Sequence, residues 1–327
     1  MCRDDTHSRG VEGSVARGAN VLKRSYVLLP LIFGLAFLSA CIASPFLKIL
    51  NDELAKTRAL HKIFTKCFLG FALLYFLVFR RHMRSRVVES LNIRVSSVLK
   101  QLLAGLLVGA AALCVIIAIF YAAGAKKLDV DFAAAAVWQA LAAGLGVAVL
   151  EEIVFRGVVL QNLRADMDAF FAVIFASAFF AAMHFVQPLP KEVIPPVAAP
   201  SLERFNVFNG FRVVPYQLSN FGRLDEIWPF ALGLFLIGVA LSVAYLKTAS
   251  LYLPIGIHAG FVTIGKLDGS LFTDVAGRSR LLFGVPHDWY MSYTDSLVCW
   301  LVTALLVVLL ILFASKLRAG SGSGGAR

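Results

Sequence analysis

The sequence predicts an all-α fold: a polytopic membrane bundle of about eight transmembrane helices. Three observations lead there. Of the 327 residues, 59% are hydrophobic and 16% charged, too little polar surface to cover a water-soluble globule. Apolar runs close to spanning length recur along the whole chain. The net charge of +11 is concentrated beside those runs, so anionic lipid and the positive-inside rule account for it, and no nucleic-acid partner is expected.

A crossing helix needs roughly 20 mostly apolar residues at 1.5 Å of rise each. Eight runs are candidates: 26–47, 63–79, 102–123, 132–163, 170–185, 228–245, 251–264 and 297–313. The first contains Leu38-Ser39-Ala40-Cys41, which looks like a lipoprotein-processing box. The apolar run continues to Leu47, so ordinary helix is expected instead. The fourth run is too long for one perpendicular crossing and must tilt, break or project. The seventh is short and holds Pro254 and Gly256, which predicts a kink or a start below the surface. Of the five cysteines, four lie in apolar runs and none forms a CxxC pair. They read as small buried hydrophobes, with neither a disulfide framework nor a thiolate metal site.

The connections complete the organisation. Residues 1–25 form a basic N-terminal segment with no apolar core, so no cleavable signal is expected to begin at Met1. Residues 26–315 form the transmembrane domain, with its motifs in 132–264, and 316–327 is a Gly/Ser tail. Arg3, Arg9, Arg17, Lys23 and Arg24, then Arg80, Arg81, Arg84, Arg86, Arg94 and Lys100, then Lys316 and Arg318, share one side if there are eight crossings. Both termini are then cytoplasmic. The alanine-rich composition points to a bacterial inner membrane. The opposite face carries two long connections, 188–227 and 266–296. The first is proline-rich, and its Phe205 to Val213 stretch has Asn209-Gly210 between β-prone residues, a hairpin signal. The second holds Trp289, Tyr290 and Tyr293, which suit an interfacial belt. Loops of this length are either functional lids or solvated caps.

The chemistry concentrates in Glu151-Glu152-Ile153-Val154-Phe155-Arg156-Gly157. A charge at the centre of a membrane helix costs about 2.5–3.5 kcal/mol on insertion scales. Three within six positions need a purpose. Glu152 and Arg156, four apart, share a helical face and can pair, which lowers the cost of burying both. Glu151 sits about 100° round the helix from Glu152. It can therefore face a wet cavity and serve as a general base. A packing salt bridge alone would explain Glu152 and Arg156 but leave Glu151 an unpaired acid.

Two histidines complete the set: His184 at the end of one apolar run and His258 within another. With a turn near Asp166, Glu151 lies about 23 Å before it and His184 about 27 Å after it along antiparallel helices. The two therefore reach similar depth. A carboxylate and an imidazole at matched depth can hold and deprotonate one water. The same residues, Glu151, His184 and His258, could alternatively bind zinc or another divalent metal. There is no HExxH.

The order Glu-Glu-x-x-x-Arg, Phe-x-x-x-His, then a further helical His resembles the CAAX-protease and bacteriocin-processing (CPBP) family of intramembrane endopeptidases. The Ras-converting prenyl-protein endopeptidase belongs to that family. The matching residues are Glu151, Glu152 and Arg156, then Phe180 and His184, then His258. The resemblance covers roughly 132–264. It implies a glutamate-type peptidase that needs no cofactor. Glu151 would be the base, His184 its partner in activating water, Glu152 and Arg156 their supports, and His258 the stabiliser of the oxyanion. It also implies a membrane-anchored protein or peptide as substrate, cut near its C-terminus. One position departs from the family, which usually has Asn or Asp four residues after the last histidine; this chain has Val262.

Two other functions fit the same residues. Buried Glu and His also mark transporters and proton relays, although no inverted repeat is visible. A non-catalytic membrane scaffold derived from a peptidase would accommodate Val262.

Overall fold

A computed structural model of the chain describes residues 25–53, 60–83, 87–91, 95–128, 135–186, 205–275, 279–283 and 294–317. The basic segment before residue 25, the prolines of 188–200, the three interfacial aromatics Trp289, Tyr290 and Tyr293, and the Gly/Ser tail lie outside these residues. Each apolar run is helical where it is described. In chain order the first half holds α1 (Ser25–Glu53), α2 (Leu60–Val78), the short α3 (Val87–Leu91) and α4 (Val95–Ala122). A three-residue strand β1 (Lys126–Leu128) precedes α5 (Ala135–Glu152), α6 (Gln161–Asp166) and α7 (Ala169–His184). Two single turns, α8 (Asn209–Arg212) and α9 (Val214–Gln217), precede α10 (Leu224–Thr248) and α11 (Tyr252–Leu271). Strand β2 (Phe272–Asp274), the short α12 (Arg280–Phe283) and α13 (Leu297–Phe313) follow.

The architecture is the expected all-α integral membrane bundle. Among the described residues, five segments are long and apolar enough to cross a bilayer: Tyr26–Leu50, Leu60–Val78, Val95–Ala122, Ile227–Thr248 and Leu297–Leu317. The remaining three of the eight runs form α5, α7 and α11, the helices that carry the acid pair and the histidines. Contacts divide the chain into two compact units, one built from 1–85, 161–169 and 187–219, the other from 86–160, 170–186 and 220–327.

In the first unit α1 packs on α2 through Phe33, Phe37, Phe64, Phe68 and Phe76, whose rings meet edge-on or tilted at 5.2–6.3 Å. Cys41 is buried inside α1 among Ala40, Ile63, Phe64 and Cys67, as expected of helix rather than a processing site. The hairpin expected at 205–213 is corrected here. Asn209 and Gly210 open the helical turn α8. The reason is steric: an Asn-Gly hairpin turn needs positive φ, and Gly210 has none. Its missing side chain serves close approach instead, because a Cβ there would overlap the Cys41 carbonyl of α1.

The second unit is organised around α11, which is buried continuously from Leu253 to Thr263. It lies against α4 through glycines on both helices. A Cβ on Gly105 would come 2.5 Å from the Leu253 oxygen, and one on Gly260 would come 2.6 Å from the Leu106 oxygen. Gly109 and Gly256 are as close to the backbones of Ile257 and Leu102. Gly105/Gly109 and Gly256/Gly260 are thus two small-xxx-small pairs facing each other, the packing that lets membrane helices approach closely. On its other side α11 meets α5, where Gly144 faces the Ala259 oxygen and Thr263.

The kink expected from Pro254 is not needed. Pro254 lies in the first turn of α11, where its absent N–H would have no intrahelical partner anyway. The helix also runs past Ile264 to Leu271, so the expected loop 266–296 begins later. β2 then pairs antiparallel with β1, Lys126 opposite Asp274. The buried Lys126 ammonium donates to Asp268 Oδ2 and Asp274 Oδ1, both at 2.8 Å. Burial pushes the Asp268 carboxyl above its usual range, and Lys126 only partly opposes this.

Three outcomes are expected. Gly109→Ala should overpack the α4–α11 contact and lower stability by about 1–3 kcal/mol. Gly146→Ala, with open space around it, should raise stability by up to about 1 kcal/mol. Thermal unfolding of the purified protein orders the two against wild type. Asp268 has a raised folded-state carboxyl, so its contribution to stability is fully present below the unfolded-state value near 3.8 and is lost as pH rises through the folded value. Wild type should therefore gain stability relative to Asp268→Asn on acidification from neutrality towards that value. A pH series of unfolding midpoints checks the sign.

Candidate active site

α5 ends at Glu152, and the chain continues as a π-helical stretch, Ile153–Leu160. The overlong fourth run, expected to tilt, break or project, thus stays helical to Asp166 with a change of winding inside it. The winding changes between Glu152 and Arg156, so the pair straddles the junction. Wider π turns inside helices often occur at functional sites. Here the stretch carries Arg156 inward until its side chain is 1% exposed.

Glu152 is fully buried, and its Oε1 accepts two hydrogen bonds of 2.8 Å, one from Arg156 Nη1 and one from His258 Nδ1. The expected i,i+4 ion pair is therefore present, with a second partner from α11. Arg156 Nη2 donates to the Gly238 oxygen on α10 at 3.0 Å, and its guanidinium stacks over the Phe180 ring of α7, 4.7 Å from the centroid. Charge-assisted hydrogen bonds of this length are about twice as strong as neutral ones. The buried pair thus draws partners from three helices besides its own, while the second Glu152 oxygen, Oε2, is buried without a hydrogen bond.

Phe180 touches both the arginine and the histidines. Its ring lies 4.5 Å from the His184 imidazole and 6.1 Å from that of His258. It also meets Phe155 edge-on at 5.0 Å. His184 Nδ1 donates to the Phe180 oxygen at 2.8 Å. The Nδ1 protons of both histidines are therefore committed, that of His184 to a carbonyl and that of His258 to a carboxylate. In the neutral ring, each Nε2 then presents a lone pair.

Both Nε2 atoms face Glu151. Its Oε2 lies 3.9 Å from His184 Nε2 and 3.8 Å from His258 Nε2, and makes no hydrogen bond. Glu151 and His184 keep 27% and 22% side-chain exposure, against 7% for His258. The matched depth expected for Glu151 and His184 is thus observed, and all five sequence-derived residues meet in the second unit. Among the described residues, no group of three or more His, Cys, Asp and Glu has the arrangement of a metal site. The 3.8–3.9 Å separations also exceed the roughly 3.3 Å between ligand atoms that bonds of about 2.0–2.1 Å give in tetrahedral zinc.

Sequence reasoning missed the contribution of α10. Gly238 holds the second arm of Arg156 with its carbonyl, which also accepts from Ser242 Oγ at 2.8 Å. It must be small, because a Cβ would come 3.0 Å from Ser177 Cβ and 3.3 Å from Phe180 Cδ1. Nothing in the sequence distinguishes this glycine from others in apolar helices. Phe180 was visible only as part of a motif, without the ring contacts that explain it.

A double-mutant cycle tests the ion pair. Arg156→Ala should cost about 3–5 kcal/mol by leaving Glu152 buried and unpaired. Adding Glu152→Gln should recover part of that loss, with a coupling of about 0.5–3 kcal/mol. Additive losses in unfolding experiments would mean that the two side chains do not depend on each other.

Residues 133–264 match the family model of the Rce1-like type II CAAX prenyl endopeptidases. No curated protein and no solved structure matches the chain.

Proposed function

Because residues 133–264 match the Rce1-like type II CAAX prenyl endopeptidase family, we propose that the chain is an intramembrane glutamate peptidase in which Glu151 is the general base. One observation carries the reading: Glu151 Oε2 lies 3.8–3.9 Å from two imidazole Nε2 atoms whose Nδ1 protons are held elsewhere. A gap of this size between polar atoms suits a bridging water. Such a water donates one hydrogen to Glu151 and the other to an imidazole lone pair, leaving its own lone pair for a scissile carbonyl.

Glu151 takes the water proton as the C–O bond forms and returns it to the leaving amine as the C–N bond breaks. His184, with its ring held by the Phe180 carbonyl, aims the water. Glu152 fixes His258 through Nδ1. His258 donates to the oxyanion from Nε2 only with a proton taken up from solvent before attack, which leaves His184 as the imidazole that accepts from the water; donation of this kind often contributes the largest share of rate. Val262, one turn further along α11, is buried and apolar. It offers no donor, so the oxyanion depends more heavily on His258 here than where Asn or Asp occupies that position.

The substrate we propose is a membrane-anchored protein or peptide, cut near its C-terminus where the backbone is already extended. Helical amides are bonded internally and resist attack. The family description points to a prenyl-bearing CAAX end, and a prenylated peptide is therefore the first substrate to try. The basic clusters support an orientation with both termini cytoplasmic.

The deciding experiment incubates the lipid-reconstituted protein with prenylated and unprenylated CAAX peptides and reads products by mass spectrometry. Glu151→Gln and His184→Ala should each lower the rate by about 10²–10⁴-fold while the peptide still binds, and chelator should change nothing. A Glu151→Gln protein that cleaves at the wild-type rate would sink the mechanism. Activity lost to chelator and restored by zinc would replace it with a metal-dependent one.

A further inference from the structure

The connection between α7 and α10 has an inverted polarity. Over residues 205–218 of the first unit, two of the three buried side chains, Asn209 and Gln217, are amides, with Val213 the third, and the exposed ones apart from Arg212 are apolar. Asn209 and Gln217 are 1% and 0% exposed, whereas Phe205, Phe208 and Phe211 are 56%, 63% and 44% exposed. Val207 and Leu218 are exposed as well. A segment facing water would show the reverse.

Its depth points the same way. The Phe205 ring meets Phe46 near the end of α1, 5.7 Å between centroids. Gly210 then sits against the Cys41 backbone, nine residues inside the apolar span that ends at Leu50, about 13 Å along the helix. Val213 packs among Ala40, Cys41, Ile63, Phe64 and Cys67. Gln217 then returns to the first turns of α2, where its Nε2 donates to the His61 oxygen at 3.0 Å. The segment thus enters beside the end of α1, descends, and comes back near the start of α2.

Backbone groups at such depth must be bonded within the protein, and here they are largely bonded locally. Arg212 and Val213 donate to Phe208 and Asn209, Gln217 and Leu218 donate to Val213 and Val214, and Phe208 N–H is capped by Asn206 Oδ1. The exposed face is continuous with the lipid-facing surface of α1, where Ile42 and Phe46 are about half exposed. Arg212 is exposed, and its long side chain can reach up towards phosphate headgroups.

We propose that residues 205–218 form a re-entrant membrane segment whose outer face is covered by the acyl chains of the bilayer. It is neither a solvated lid nor a cap. This reading stands independently of the protease mechanism.

Spin labels test it in the full chain reconstituted in phosphatidylcholine–phosphatidylglycerol vesicles, with Cys2 and Cys114 replaced by serine. Labels at Phe208→Cys and Phe211→Cys should be open to oxygen and closed to a water-soluble nickel chelate. Their oxygen-to-nickel accessibility ratio should match that of Leu107→Cys on the exposed face of α4 and exceed that of Lys127→Cys on β1 several-fold. A ratio matching Lys127→Cys would overturn the proposal. So would exclusion of both reagents, which would put another protein surface there. Should either cysteine variant fail to fold, Phe208→Trp in a chain whose four native tryptophans are replaced by phenylalanine gives the same answer: quenching by brominated acyl chains supports the proposal, and none refutes it.

Discussion

One buried carboxylate oxygen organises the second unit. Glu152 Oε1 accepts from both Arg156 and His258, and Arg156 extends the network to Gly238 and the face of Phe180. Removing a charge from water costs several kcal/mol even after relaxation, and only well-placed partners offset it. The partners of Glu152 come from the π stretch and α11, and those of Arg156 from α10 and α7, so the ion pair holds four elements in one arrangement. It also aims its neighbour. With Glu152 turned fully inward, Glu151 points about 100° away, towards the partly exposed space between the two imidazoles.

Close helix approach is the second condition. Bilayer lipid is as apolar as leucine, so helices in it associate through fit and polar contacts rather than through a hydrophobic drive. The glycines of α4 and α11 bring the two backbones together, and Gly144 does the same between α5 and α11. Buried in this way, α11 can present His258 to Glu152 from one fixed height. The Lys126 bridge to Asp268 and Asp274 ties the far end of α11 to the strand that follows α4. Packing and polar satisfaction therefore support the same geometry.

Legibility followed the range of the interaction. Apolar runs are local properties, and each became a helix. Glu152–Arg156 pairing is a four-residue relation and was readable as such. The matched depth of Glu151 and His184 needed only helical rise and a turn at Asp166. By contrast, Asn209-Gly210 carries a genuine hairpin signal, and it was overridden because Gly210 is used to admit the Cys41 carbonyl. Pro254 carries a kink signal that vanished once the helix began two residues before it. The role of Gly238 left no local trace, since a carbonyl acceptor is common to every residue.

The amino-acid sequence by itself determined the all-α membrane class, the run of helices, the order of the acid and histidine motifs and the i,i+4 pairing. These depend on composition and on helical period, which act over a few residues. Tertiary structure alone decided that Glu152 serves Arg156 and His258 at once, that α10 supplies the second acceptor for the guanidinium, and that amides face inward over 205–218 while phenylalanines face out. Each of those depends on which surface a side chain meets, and residues 80 or 100 positions apart come to share a surface only when helices pack.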